Sequence, residues 1–173
     1  MSQVDILREI ALSRAIDRQL DEIVHAAGDV AIQLQRNRGM RENQLRNVLD
    51  VALHTESVEV VGNYIRYQIG RGGAWKLNNF GECLITALGD NSSVDKAAQK
   101  AAAEAHKQMA IAQQAGKLGN EPLPEPNELV KEARRQLTGL FLGYLNRWFI
   151  YASKENAWDK ITPLVKREGE ATT

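Results

Sequence analysis

The sequence predicts an all-α fold, a compact bundle of five to six helices in a single domain over residues 1–173. Three observations carry this. Apolar residues recur at three- and four-residue steps along most of the chain, while no alternating run bounded by hairpin turns occurs. Helix-starting and helix-stopping residues punctuate those stripes, and no repeat of fixed period is present. At 173 residues the chain is long enough to bury about two thirds of the surface it exposes when unfolded.

The first stripe, Ile16, Leu20, Ile23, Ala27, Val30 and Leu34, predicts one long helix over 3–36 that Gly28 bends. After an interruption at 36–39, Leu45, Val48, Leu49 and Ala52 form the inner side of a second helix, with Glu42, Asn43, Arg46, Asn47 and Asp50 outward. His54, Thr55, Glu56 and Ser57 make a turn, with Thr55 or Ser57 as N-cap. A third helix then buries Val58, Val61, Ile65 and Ile69, and "GRGG" at 70–73 stops it, because glycine adopts the left-handed conformation cheaply. "WKLNNFGECLITALGD" supplies a fourth helix. Ser92, Ser93, Val94 and Asp95 resemble an N-cap box for the alanine-rich stretch at 94–116, whose small apolar volume predicts a helix exposed or laid against a partner. Prolines make 117–127 a semi-rigid linker. Asn127 is the expected cap of a last long helix with Val130, Ala133, Leu137, Phe141, Tyr144, Leu145 and Trp148 inward, followed by a polar tail after Trp158.

Lys plus Arg total 22 and so do Asp plus Glu, so any nucleic-acid binding must come from a local patch. Cys83 is the single cysteine, which excludes an internal disulfide and a cysteine-cluster metal site and suits the cytoplasm. No stretch approaches the roughly 18 apolar residues of a membrane span, and the N-terminus lacks the pattern of a signal peptide. "GRGGAWK" lacks the P-loop spacing, and His25, His54 and His106 lack metal-ligand spacing. Neither a cofactor nor a metal is expected.

The neutral total hides a dipole. Residues 36–76 hold seven cations, Arg36, Arg38, Arg41, Arg46, Arg66, Arg71 and Lys76, against four acids, whereas residues 1–35 hold three cations against six acids. Six of those seven cations are arginine, whose planar fork grips phosphate oxygens in pairs. Arg66 stands between Gly62 and Gly70, small neighbours that would admit a polymer backbone, and Arg71 lies in a glycine-rich turn able to add N–H donors. Ordinary surface pairs of Arg46 with Asp50 and Arg66 with Glu59 are the competing reading, and charge alone does not separate the two.

"ENQLRNVL", an apolar spacer and then "IRYQIGR" resemble the pattern of the Csm-type small subunit of type III CRISPR-Cas effector complexes. "LFLGYLNRWFIYASKE" is similar to that family's aromatic C-terminal helix, so the likeness covers about residues 40–90 and 137–155. The alanine-rich stretch and proline linker depart from it. The resemblance implies a non-catalytic helical subunit that stacks in several copies beside the backbone subunits, along the guide and target RNA. It implies Arg46, Arg66 and Arg71 facing RNA phosphates with Tyr67 packed near them.

Two further readings stand beside it. One is a helical protein-interaction adaptor whose arginines meet an acidic partner. The other is a ribonuclease: Arg18 and His25, seven residues apart on one face of the first helix, resemble the Arg, four to six residues, His motif of the HEPN ribonucleases. That family places Asn, Asp or His directly after the arginine, where Gln19 stands, and a solvated helix face is the favoured reading.

Overall fold

In the computed structural model, residues 1–161 are described and form seven α-helices, with no strand among them. These are α1 (Gln3–Asp17), α2 (Leu20–Ile32), α3 (Glu42–Leu53), α4 (Val58–Arg71), α5 (Phe80–Leu88), α6 (Ser93–Gln114) and α7 (Pro126–Lys154). A further helical turn opens at Trp158, and the part of the predicted polar tail from residue 162 on lies outside the described residues.

The all-α class holds, but the helices number seven rather than five to six because the first predicted helix is two. A capping box starts α1: Ser2 Oγ accepts from the Asp5 N–H at 3.2 Å, and Asp5 Oδ2 accepts from the Ser2 N–H at 2.9 Å. The chain then breaks at Arg18 and Gln19, not at Gly28, which sits buried inside α2. At the break ψ rises to −13° and −5°, and the Gln19 N–H bonds the Ile16 carbonyl three residues back at 2.8 Å. Tertiary packing explains it: α1 lies along α6, whereas α2 lies mainly along α7.

The alanine-rich helix is not exposed. α6 runs through the middle of the bundle between α1 and α7, and Ala97, Ala98, Ala101 and Ala105 are 0% exposed. Methyl side chains let three backbones approach closely, so the low apolar volume of α6 is what the packing uses. Ser92 Oγ caps its start by accepting from the Asp95 N–H at 3.1 Å. Ala101→Leu is expected to cost about 1–3 kcal/mol by overpacking, read as a fall in urea midpoint at unchanged slope. An exposed helix would give almost no change.

α7 packs on α2, α3 and α6, burying Leu129, Ala133, Leu137, Phe141, Leu142, Leu145 and Phe149. The helix opens with Pro126 in its first turn rather than with Asn127 as cap, since proline lacks only an N–H that is unpaired there anyway. Val130, Tyr144 and Trp148 are half-buried, and Trp148 Nε1–H donates to the Val24 carbonyl at 3.0 Å. Arg134 ties α7 to the turn before α6, donating to Asp90 Oδ1 at 2.9 Å and to the Leu88 carbonyl at 3.1 Å. The proline segment is anchored by Leu118, buried, and by Gln113 Nε2 donating to the Glu121 carbonyl at 2.9 Å. Among the described residues no helix is long and apolar enough to cross a membrane.

Candidate nucleic-acid interface

The residues from 36 to 44 and from 64 to 77 are brought together by one buried amide. Asn37 is 2% exposed and donates from Nδ2 to the Ala74 carbonyl at 2.7 Å, which pins the arginine-bearing loop after α2 to the segment after α4. Gly39 lies against Ala74, where an added methyl would come within 3.3 Å of the alanine Cβ. α3 then begins at Glu42, with Gln44 Oε1 accepting from the Arg41 N–H at 2.9 Å. α4 ends at Arg71 because Gly72 and Gly73 take φ of 86° and 64°, a region that favours glycine. Beneath the turn Trp75 is buried and packs on Phe80 at 5.8 Å between ring centroids.

Between α3 and the end of α4 lies a cavity of about 300 Å³. Gln44 and Asn47 line it from α3, Tyr64, Gln68 and Arg71 from α4, and Gly72, Gly73 and Trp75 from the turn. A second hollow shares Gln44 and Gly73 and reaches Gly39, Lys76 and Leu77. The two adjoin at Gln44 and Gly73, the first mostly polar and the second mostly apolar with Lys76 at its edge.

Of the predicted site residues, Arg71 stands in the cavity wall with its guanidinium 5.8 Å from the ring centroid of Tyr67, itself 59% exposed. Lys76 lines the second hollow, Arg41 stands immediately before α3, and Arg36 and Arg38 are exposed on the pinned loop. Arg46 and Arg66 do not join them. Arg46 pairs with Glu42, Nη2 to Oε1 at 2.6 Å, and Lys154 Nζ approaches the same carboxylate at 3.6 Å. Arg46 is two residues past Gln44, a rotation of about 200° that turns it toward the α7 flank of α3. Arg66 is five residues before Arg71, roughly 140° around the helix, and folds back over Gly62. The expected single strip of Arg46, Arg66 and Arg71 is therefore not formed; nor does Arg46 take Asp50, or Arg66 take Glu59, as partner.

Among the described residues, no carboxylate pairs with Arg36, Arg38, Arg41, Arg71 or Lys76. Several cations elsewhere are tied down: Arg8 with Glu132, Arg18 with Glu104, Lys100 with Glu22, Arg134 with Asp90, and Arg135 with Glu56. The last pair removes one of the four acids that offset the 36–76 cations, and Glu42 is a second. Local positive charge is thus left over on this face.

The amides Gln44 and Gln68 and the indole of Trp75 were not predicted as site residues. Their signal was the three- and four-residue spacing of Gln44 with Asn47 and of Tyr64, Gln68 and Arg71, which sets polar groups on facing helix edges.

Arg18 and His25 do not share a helix face. Arg18 follows the end of α1 and pairs with Glu104 of α6, while His25 belongs to α2. One turn beyond His25, partial burial raises the Asp29 carboxyl against the opposing pull of that histidine. Burial likewise pushes up the half-buried Cys83 thiol, which packs on the core. Among the described residues no group of three or more histidine, cysteine, aspartate or glutamate side chains is placed to hold a metal ion. Compared with the models of protein families, with curated proteins and with solved structures, the chain matches none.

Proposed function

We propose that this chain is a non-catalytic subunit that holds an RNA phosphate backbone on the face formed by the 36–41 loop, the start of α3 and the end of α4. The observation that carries the reading is the gathering of five cations, Arg36, Arg38, Arg41, Arg71 and Lys76, on one face with no carboxylate partner among the described residues. Arginine contacts to phosphates position a strand and discriminate little between bases, so binding is indifferent to sequence. The resemblance of "ENQLRNVL" and "IRYQIGR" to the Csm-type small subunit, of whose three implied arginines Arg71 alone lies on this face, supports the narrower proposal: the strand is the guide and target RNA of a type III CRISPR-Cas effector complex.

In that setting several copies assemble beside the backbone subunits, and multivalency raises an affinity that one copy with a handful of phosphate contacts does not reach. A groove between α3 and α7 supports contact with a neighbouring subunit: Leu53 is 60% and Leu140 is 36% exposed, flanked by Arg135 and Arg147.

Fluorescence anisotropy with a labelled single-stranded RNA tests the binding across a salt series. Five phosphate contacts predict log affinity falling against log salt with a slope of about −3.5. A slope near zero, or no binding at low salt, overturns the reading. Co-expression with the other subunits of such a complex tests the narrower proposal, which requires this chain to be retained on the RNA-bearing assembly.

A further inference from the structure

The cavity between α3 and α4 has more polar groups than a phosphate backbone can use. Trp75 lines the cavity and is 2% exposed, and its Nε1–H is buried without an acceptor among the described residues. The side-chain amides of Asn47 and Gln68 and the Tyr64 hydroxyl make no hydrogen bond to other described residues, and Gln44 keeps its amide N–H groups free because only its oxygen is engaged, by the Arg41 N–H. The volume of about 300 Å³ lies at the lower end of the roughly 300–1,000 Å³ typical of small-molecule sites.

Resting on the backbone-binding reading, we propose that this cavity takes one unpaired base of the bound RNA, with Arg71 on the phosphate of the same nucleotide. The chemistry selects this occupant. An apolar ligand would strand the amides and the hydroxyl away from water. A bare anion would engage Arg71 and leave the amides unused. A nucleotide joins an anion to a planar heterocycle whose edge both donates and accepts, which matches side-chain amides that do the same. Side-chain amides can answer any of the four bases, so the cavity favours an unstacked base without fixing its identity, and aromatic side chains in the wall offer further contact.

The test compares a short single-stranded RNA with an oligomer of the same length whose sugars carry no bases, on the wild type, Asn47→Leu/Gln68→Leu and Arg71→Ala, at fixed low salt. The wild type is expected to bind the natural oligomer about tenfold tighter than the abasic one. Asn47→Leu/Gln68→Leu should hold both at the abasic level, with circular dichroism confirming its fold, and Arg71→Ala should weaken both. Equal binding of the two oligomers by the wild type, a cavity filled by water only, overturns the base site whatever the variants do. So does a tenfold preference that survives in the double variant. In either case weakening by Arg71→Ala still upholds the backbone reading, whereas failure of the wild type to bind either oligomer sinks both.

Discussion

Replacing Arg38, Arg41, Arg71 and Lys76 together with alanine is expected to lower affinity for single-stranded RNA by about a hundredfold at low salt. Each exposed charge contact contributes roughly 0.5–1 kcal/mol, and the sum over four is close to two powers of ten. Stability should stay within about 0.5 kcal/mol of wild type, since all four side chains are exposed and none forms an ion pair among the described residues. Arg46→Ala is the internal control: this arginine is engaged by Glu42 on the other flank of α3, so its loss should leave RNA affinity within about twofold. Wild-type affinity in the quadruple variant, or an equal loss in Arg46→Ala, would show that the strand runs elsewhere. Anisotropy titrations at one salt concentration separate these outcomes.

The largest expected effect on stability is that of Phe141→Ala. Phe141 is 0% exposed near the middle of α7, the helix against which α2, α3 and α6 all pack. Truncating it should cost about 3–5 kcal/mol, a large share of the roughly 5–15 kcal/mol typical of a domain. At this chain length each kcal/mol moves the midpoint by about 2–4 °C, so Tm should fall by roughly 6–20 °C. A loss below about 1 kcal/mol in urea unfolding would mean that α7 is not the spine of the core.

What the sequence made legible follows how local the determining physics is. The stop after Arg71 was readable because two adjacent glycines supply positive φ there, and the start of α6 because Ser92 and Asp95 have cap spacing. The break at Arg18 and Gln19 was not readable: neither glycine nor proline marks it, and it exists because α1 and α2 take different partners. The burial of α6 was misread for a related reason. Alanine at Ala97, Ala98, Ala101 and Ala105 leaves no volume signal, and only the close approach of α1 and α7 turns those methyl groups into core.

The arginine cluster was legible as a local excess of charge but not as a surface. Arg46 has carboxylates four residues away on both sides, Glu42 and Asp50, and its choice of Glu42 is made by side-chain packing, with Lys154 of α7 on the same carboxylate. The divergence of Arg66 from Arg71 follows from their five-residue spacing alone and was open to helical arithmetic. The cavity was not, because it needs α3 and α4 set side by side with the Asn37 amide clamping the loop beneath.

Amide chemical-shift mapping on the full chain, titrated with single-stranded RNA at low salt, tests most directly where the strand lies. Perturbations concentrated at residues 36–44 and 64–77 are expected, growing weaker as salt is added. Perturbations confined to α1 and α6, or to the α7 flank around Arg46, would contradict an RNA-binding face at the α3–α4 junction.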